Sequence, residues 1–178
     1  MKRLLLHACC GPCATYAADL LSREYEVELF FYNPNIYPAK EHAKRLENTE
    51  IVSRKLDIPL STGGYDPERW LKAVRGHEQD NEGGQRCSIC FRLRLQKTAE
   101  KAKKKGFDAF STTLTISPFK DSRCINKTGR QAAKDEGTMF LELDLKKDNG
   151  FRKSVQMSRD MHLYRQKYCG CIYSMPKP

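Results

Sequence analysis

The sequence predicts an α/β fold with a mostly parallel sheet. Short apolar runs of strand length alternate with longer runs of helical periodicity as far as residue 143. Such alternation is typical of strands joined by crossover helices. The chain has 178 residues, the length of a single domain. We expect residues 1–143 to form the α/β core and residues 144–178 to form a basic C-terminal lid over the working edge of the sheet.

Five strands are predicted from short runs of apolar residues. They cover residues 3–8, 27–32, 58–60, 108–113 and 138–143. Ligands of parallel sheets bind at the carboxyl ends of the strands. At that edge the first strand runs into Cys9, the second into residues 33–35 (NPN), and the fourth into Thr112 and Thr113.

Five helices are predicted between and after these strands. They cover residues 15–23, 39–55, 67–76, 88–105 and 122–136. Pro67 is typical of a first helical turn. Residues 88–105 form the clearest helix, because Phe91, Leu95 and Ala102 follow helical spacing. Residues 76–85 are polar and glycine-rich, which predicts a flexible loop.

Composition excludes a membrane protein and favours a polyanionic partner. The longest apolar run, residues 4–6, is far shorter than the roughly 20 residues that span a bilayer. It is also too short for the core of a signal peptide, so we expect a cytoplasmic protein. The 32 basic and 22 acidic residues give a net charge of +10, which favours nucleic acid as a partner, although charge can also serve solubility alone.

Eight cysteines in a chain without a secretion signal favour metal or redox chemistry over a disulfide scaffold. Seven of them form three clusters, which are Cys9, Cys10 and Cys13, then Cys87 and Cys90, then Cys169 and Cys171. A structural zinc site usually takes two local pairs, and adjacent cysteines are an awkward chelate for one tetrahedral ion. The spacing therefore favours an iron–sulfur centre or two neighbouring metals, with structural zinc and plain thiols as alternatives.

Three further features bear on the chemistry of these cysteines. Cys124 is isolated, and we expect a packed thiol without a chemical role. The spacing of Cys169 and Cys171 allows either a strained, labile disulfide that stores two electrons or a pair of metal ligands. His7 precedes the first cysteine cluster and is either a core histidine or a neighbour of the metal.

Basic residues form three runs that could neutralise phosphates. Residues 92–105 contain seven Lys or Arg and one acid, and further runs cover residues 120–134 and 146–167. Binding to these runs would depend strongly on salt. The tyrosines interleaved with the last run could stack an RNA base or belong to the core, and they are Tyr164, Tyr168 and Tyr173.

Motifs along nearly the whole chain resemble the QueH family of epoxyqueuosine reductases. They are HACCGPC at residues 7–13, YNPNI at residues 32–36, RCSIC at residues 86–90, TTLTISPFK at residues 112–120 and YRQKYCGC at residues 164–171. The double-cysteine loop together with the C-terminal YCGC is highly specific to that family.

The resemblance implies a Rossmann-like three-layer fold related to the adenine-nucleotide hydrolase superfamily. It implies reduction of epoxyqueuosine to queuosine at the wobble position of tRNA. It also implies a [4Fe–4S] cluster with a further iron beside it, and the expected cluster ligands are Cys9, Cys10, Cys87 and Cys90. Cys169 and Cys171 are the expected redox-active pair, and we place Cys13 near the second metal.

The reaction requires two electrons and two protons, because an epoxide oxygen is removed to leave an alkene. A [4Fe–4S] cluster normally passes one electron at a time, so two passes or a two-electron partner is needed, and a dithiol at Cys169 and Cys171 is such a partner. Alternatively, an adjacent iron could bind the epoxide oxygen as a Lewis acid and ease cleavage of the carbon–oxygen bond. The sequence does not choose between them. An external electron donor is expected, and the candidate proton donors are His7, Tyr164 and Tyr168.

Two other functions are possible for these residues. Relatives of the same fold activate tRNA bases with ATP for thiolation, using a glycine-rich phosphate loop after the first strand. Here that position holds CCGPC at residues 9–13, and Pro12 lacks the N–H that a phosphate loop needs. A zinc-containing RNA-binding module is the other alternative, but it leaves Cys169 and Cys171 without a role.

Overall fold

Four parallel strands form the central sheet. In the computed structural model, which describes residues 1–176, they are β1 (Lys2–His7), β2 (Tyr25–Phe31), β3 (Leu60–Thr62) and β4 (Ala109–Thr112). Their order across the sheet is β3-β2-β1-β4, and every neighbouring pair is parallel. Leu4, Leu5 and Leu6 of the central strand β1 are fully buried, as expected for a strand covered on both faces.

Helices cover both faces of this sheet. They are α1 (Gly11–Leu21), α2 (Ala39–Leu56), α3 (Pro67–Ala73), α4 (Gln85–Lys104), α5 (Ser122–Glu136) and α6 (Gly150–Asp160). Leu4 and Leu6 pack in one core with α1 and α2, whereas Leu5 packs in a second core with α4 and α5. Because alternate strand residues face opposite sides, the two cores lie on opposite faces of the sheet. The predicted three-layer α/β arrangement is confirmed.

Helix α1 begins four residues before its predicted start. Pro12 occupies its first turn, where the missing N–H removes no hydrogen bond. Gly11 permits close packing on α2, because a Cβ there would lie 2.7 Å from the carbonyl oxygen of Asn48. As a result Cys10 is the N-cap residue and Cys13 lies in the first turn, so the first cysteine cluster is fixed by a helix terminus.

The predicted fifth strand is wrong. Residues 138–143 make a single parallel bridge, between Phe110 and Phe140, and no ladder within the described chain. Phe110 donates its N–H to the carbonyl oxygen of Met139 and accepts from the N–H of Leu141 (2.9 Å each). Beyond this bridge side chains bind the backbone, because Ser111 Oγ donates to the carbonyl oxygen of Leu141 (2.8 Å) and Asn126 Nδ2 donates to that of Leu143 (3.1 Å). The sheet therefore ends at β4.

Two other boundaries differ from the prediction. Strand β3 begins two residues later than expected, because Asp57 ends α2 with a left-handed conformation (φ 53°) and Ile58 turns into the core. Helix α4 begins three residues earlier, at Gln85. The loop before it, predicted to be flexible, is tied to the helix, since the buried Arg86 side chain donates to the carbonyl oxygens of His77, Glu78 and Asp80.

The C-terminal segment, residues 144–176, leaves the strand–helix alternation. Its helix α6 packs against α1. The chain then crosses the carboxyl ends of the strands, where Tyr37 N donates to the carbonyl oxygen of Gly170 (2.8 Å) and Gln166 Nε2 donates to Cys10 Sγ (3.1 Å). Among the described helices, none has both the length and the apolar character to cross a membrane.

Candidate active site

Two adjoining cavities lie at the carboxyl ends of the strands. The first has a volume of about 350 Å³ and is lined by Cys9 and Cys13. The second has a volume of about 210 Å³ and is lined by Cys87, Cys90 and Cys171. The residues that line both cavities are Asn35, Glu82, Arg94, Phe119, Lys120 and Cys169. The three cysteine clusters of the sequence thus meet around one bipartite space.

Cys9, Cys10 and Cys13 form a compact group, which we call the cysteine triad. Their three sulfur atoms all lie within 4.8 Å of one another, and Cys9 Sγ and Cys10 Sγ are 3.8 Å apart. Two thiolates bound at about 2.3 Å to one tetrahedral ion would be about 3.8 Å apart. The triad therefore fits three ligands of a single metal ion with a fourth position open. The adjacent cysteines are a good chelate here because Cys10 is the N-cap of α1 and Cys13 returns one turn later.

The triad concentrates negative charge on Cys9. Interactions with Cys10 and then Cys13 lower the pKa of Cys9 well below its usual range. Contact with Cys13 would lower the pKa of Cys10, but the Cys9 sulfur and burial outweigh it and raise that pKa to about 12. The interactions of Cys13 with Cys10 and Cys9 raise its pKa in turn. Metal binding to all three sulfurs would therefore release protons from the triad.

His7 is a neutral core histidine beside the triad. Burial, followed by the charge of Arg94, lowers its pKa to about 4. Its Nε2–H donates to the carbonyl oxygen of Tyr32 (3.1 Å), so Nδ1 accepts from Thr112 Oγ1 (3.0 Å). Both ring nitrogens are occupied, which leaves no proton to deliver and favours the core interpretation of His7.

The remaining clustered cysteines form a second thiol group, consisting of Cys87, Cys90, Cys169 and Cys171, around the second cavity. Cys87 and Cys90 lie in the first turns of α4, and burial raises the pKa of both thiols. Cys90 and Cys171 pack in one small apolar cluster with Trp70. Among the described residues, no three sulfurs of the second thiol group all lie within 4.8 Å of one another, so this group is more open than the triad.

Cys169 is positioned by backbone contacts of its own loop. Arg45, which is 3% exposed, donates from Nη1 to the carbonyl oxygen of Cys169 (2.9 Å) and from Nη2 to that of Tyr168 (3.1 Å). Gly170 has a φ of 131°, and a Cβ there would lie 2.9 Å from Arg45 Nη1. A glycine between the two cysteines is thus required for the loop to approach Arg45. Both thiols are free in the structure.

Two cations that the sequence places in basic surface runs line the site, and one of them, Arg94, is buried while the other, Lys120, is half-buried. Arg94 is 2% exposed, and its Nη1 lies 3.4 Å from Asn33 Oδ1. Lys120 Nζ lies 3.5 Å from Cys169 Sγ. Burial would lower the pKa of Lys120, but Cys169 and Cys9 outweigh it and raise it. One signal for Arg94 was present in the sequence, because it follows Cys90 by four residues and so shares its face of the helix.

The aromatic side chains at the opening differ from those expected. Tyr164 donates its hydroxyl hydrogen to Glu41, and Tyr168 donates to the carbonyl oxygen of Tyr37, so both tie the C-terminal segment to the core. Their protons are engaged, which argues against either as a proton donor. Phe119 is 82% exposed and lines both cavities, and sequence reasoning missed it because an isolated apolar residue gives no periodic signal.

Cys124 lines the second cavity and packs against the same core as Cys87. Its sulfur lies 3.6 Å from Ser88 Oγ. These surroundings agree with the expectation of a packed thiol. Its position on the cavity wall was not expected from the sequence.

Fold and cavities together define a three-layer α/β protein whose candidate active site is built from thiols at the carboxyl edge of the sheet. A family model described as "Epoxyqueuosine reductase QueH" matches residues 4–177. The chain belongs to the QueH family of epoxyqueuosine reductases, which are oxidoreductases, and the membership expected from its motifs is confirmed.

Individual relatives match over nearly all of the chain. A protein of Streptococcus pyogenes serotype M1 named epoxyqueuosine reductase QueH is 40% identical over 177 residues, which cover 96% of this chain and 69% of that protein. A protein of the same name from Thermotoga maritima is 35% identical over 181 residues, covering 98% of this chain and 91% of that protein.

A solved structure from Methanocaldococcus jannaschii shares the fold. It is described as a predicted subunit of a tRNA methyltransferase, has a TM-score of 0.55 and is 11% identical in sequence. The match covers 86% of this chain and 76% of that chain. At this identity the likeness shows the fold alone.

Proposed function

We propose that this chain reduces epoxyqueuosine to queuosine in tRNA, working in the cytoplasm. The observation that carries the proposal is the meeting of three thiol clusters around two adjoining cavities in a member of the QueH family. A reductase needs a site for electron transfer next to a space for the modified nucleoside. The cavities offer both, because cysteine thiols and buried polar groups line the same walls.

The proposed cofactor is a [4Fe–4S] cluster with a further iron beside it. The proposed cluster ligands remain Cys9, Cys10, Cys87 and Cys90. Cys13 is proposed for the second metal, and its sulfur lies within 4.8 Å of those of Cys9 and Cys10, which supports two neighbouring metal sites. When bound, the cluster would relay electrons to the substrate without being their net source, and the iron would polarise the epoxide oxygen.

Cys169 and Cys171 are proposed as the redox-active pair. Oxidation of the two thiols to a disulfide releases two electrons and two protons. Removal of the epoxide oxygen consumes the same number, with the alkene and one water as products. An external electron donor must then reduce the disulfide again. The placement of Cys169 supports this role, since it lines both cavities, the first together with Cys9 and Cys13 and the second together with Cys87 and Cys90.

Lys120 is proposed to orient the epoxide oxygen. Its ammonium group lies 3.5 Å from Cys169 Sγ on the wall shared by the cavities. A charged donor there would stabilise the negative charge that develops as the carbon–oxygen bond breaks. This role requires no proton from Lys120, because oxidation of the dithiol already releases both protons that the reaction consumes.

The anticodon loop is proposed to bind at the opening of the first cavity. Arg165 and Lys167 are exposed there and line the cavity, as does Phe119. Single-stranded RNA is bound by cations that contact phosphates and by aromatic rings that stack on splayed-out bases. Residues 144–178 are proposed to act as the lid over the bound nucleoside, within one domain that covers the whole chain.

The test is single-turnover reduction under anaerobic conditions. Reconstituted protein is mixed with tRNA that carries epoxyqueuosine, and the nucleosides are then digested and identified by mass spectrometry. We expect conversion to queuosine without ATP. Absence of queuosine from a protein that contains iron and sulfide would overturn the proposal, and a thiolated nucleoside formed with ATP would support the thiolating enzyme instead.

A further inference from the structure

Asn35 carries a buried hydrogen-bond acceptor that the fold leaves unused. Its side chain is 3% exposed and lines both cavities. Among the described residues, no donor lies within hydrogen-bond distance of its Oδ1. Asn33, two residues earlier, is satisfied, because its Nδ2 donates to the carbonyl oxygen of Ala8 (2.9 Å) and its Oδ1 accepts from Arg94 (3.4 Å).

A buried acceptor without a donor destabilises a fold, so native proteins nearly always supply a partner. Asn35 sits on the wall of a cavity large enough for a ligand, where a bound molecule can supply the missing donor. Gln166 gives a second instance in the same cavity. Its Nε2 donates to Cys10 Sγ (3.1 Å), whereas its Oε1 is buried and has no donor among the described residues.

The nature of the missing donor follows from the surroundings of Asn35. Arg94 and Lys120 share its wall of the cavities with one carboxylate, that of Glu82, so the cations outnumber the acid and disfavour a cationic group such as the secondary amine of the substrate. A neutral hydroxyl donor has no such penalty. The cyclopentane ring of epoxyqueuosine carries two vicinal hydroxyls on the same ring as the epoxide, which must face the thiols during reduction.

We infer that Asn35 Oδ1 accepts a hydrogen bond from the cis-diol of the cyclopentane ring and so selects nucleosides that carry this ring. The inference rests on the proposed function and makes Asn35 a specificity-determining residue. Gln166 Oε1 offers a further acceptor in the same cavity. The contact orients the ring, since the diol and the epoxide occupy adjacent parts of it.

The experiment measures the affinity of reconstituted protein for three forms of one tRNA. They carry epoxyqueuosine, queuosine, or 7-aminomethyl-7-deazaguanine, which lacks the ring. Asn35→Leu has nearly the same size but no acceptor, and we expect it to bind both ring-bearing tRNAs about 5- to 10-fold more weakly. Its affinity for the ringless tRNA should equal that of the unsubstituted protein. Asn35→Asp keeps an acceptor oxygen and should keep the preference for the ring.

Asn126→Leu is the matched control. Asn126 also has a buried Oδ1 that accepts no hydrogen bond from the described residues, but it lies on α5 and lines neither cavity. We expect its binding preference to be unchanged. Iron and sulfide content and the circular dichroism spectrum report whether each variant is folded, and Asn35→Ala, which also lacks an acceptor, replaces the leucine variant if that one is not.

The outcomes separate the inference from the function on which it rests. Equal weakening for ring-bearing and ringless tRNA, or no weakening at all, overturns the role of Asn35 while the unsubstituted protein still reduces epoxyqueuosine. If the unsubstituted protein binds all three tRNAs equally and forms no queuosine, the proposed function itself is wrong.

Discussion

The cysteine triad and the second thiol group are assembled in opposite ways. The triad comes from five consecutive residues, and the end of β1 and the first turn of α1 hold its sulfurs within 4.8 Å of one another. The second thiol group joins the start of α4 to a loop about eighty residues later in the chain. The triad is therefore local and preorganised, whereas the second thiol group depends on how the C-terminal segment is held.

The largest effect expected from this comparison is the loss of metal on breaking the triad. Cys9→Ser or Cys10→Ser should lose cluster iron and reduce epoxyqueuosine no faster than background, because the thiolate is the ligand that binds the metal. Cys87→Ser should lose the cluster as well. Cys124→Ser is the control, since Cys124 lines the second cavity but belongs to neither thiol group.

Iron and sulfide are quantified in each protein after anaerobic reconstitution. A Cys124 variant without iron would show that the group of ligands extends beyond the clustered cysteines. Stoichiometric zinc, with no iron or sulfide, in the unsubstituted protein would falsify the iron–sulfur assignment.

The second prediction tests whether Arg45 holds the Cys169 loop of the second thiol group, and the quantity measured is the free energy of unfolding. Arg45 pairs with Glu41 (2.8 Å) with side-chain exposures of 3% and 12%, and it also holds the Cys169 loop. Arg45→Ala leaves buried acceptors unpaired, so we expect the free energy of unfolding to fall by about 3 kcal/mol and Tm by roughly 6–12 °C. Anaerobic thermal unfolding provides the measurement.

Arg23→Ala is the control for Arg45. Arg23 pairs with Asp19 at 2.7 Å, but the side chains are 68% and 39% exposed, so the free energy should change by less than about 0.5 kcal/mol. An equal loss of Tm in both variants would contradict the claim that Arg45 holds the C-terminal segment in place.

The third prediction compares tRNA binding at the cavity opening with tRNA binding along α4, whose basic end lies at the opposite edge of the sheet. Phe119→Ala should weaken binding about 10-fold because a stacking surface is removed, while the salt dependence stays the same. Reversal of four exposed charges to Glu should instead flatten the dependence on salt by about 0.7 for each phosphate that is no longer bound. The charges to reverse are Arg92, Lys103, Lys104 and Lys105.

Affinities are measured over a series of salt concentrations. Arg94 is left out of the reversed set, because it is buried in the site. If the charge-reversed protein keeps the original salt slope, the basic excess serves solubility. If Phe119→Ala changes that slope, the ring acts by positioning neighbouring cations against phosphates rather than by stacking on a base.

The smallest predicted effect is a difference in the pH dependence of alkylation in metal-free protein. Contacts with Cys10 and Cys13 hold the pKa of Cys9 well below its usual range, so its alkylation rate should rise less steeply with pH than that of Cys87. Burial raises the pKa of Cys87, so its thiolate fraction and its rate should rise about tenfold per pH unit. Mass spectrometry of tryptic peptides distinguishes the two sites, and parallel rises at both would contradict the preorganised triad.

The same contrast between local and assembled features explains what the sequence could predict. Strand β1, helix α1 and the triad follow from neighbouring residues, and their placement at the sheet edge follows from parallel topology. Residues 138–143 look like a strand locally, but their backbone pairs with β4 only at Phe110, and the Ser111 and Asn126 side chains bind the carbonyl oxygens beyond that point.

Burial of charged and polar side chains is the other property that local patterns miss. Arg94 and Lys120 belong to basic runs that read as solvent-exposed surface, yet they line the cavities because α4 and the chain after β4 bring them beside the thiols. Asn35 was located at the end of its strand, but its unpaired oxygen is visible only once every neighbour is placed.

The central claim is that Cys169 and Cys171 carry electrons, whereas Cys9, Cys10, Cys87 and Cys90 hold the cluster. It is tested most directly by iron and sulfide quantification of Cys169→Ser and Cys171→Ser, beside single-turnover reduction of epoxyqueuosine tRNA. We predict that both variants keep the full iron and sulfide content and lose turnover, because the proposed cluster ligands do not include either residue. Loss of cluster iron from either variant would make the pair a set of metal ligands, and full activity with intact iron would leave it without a redox role.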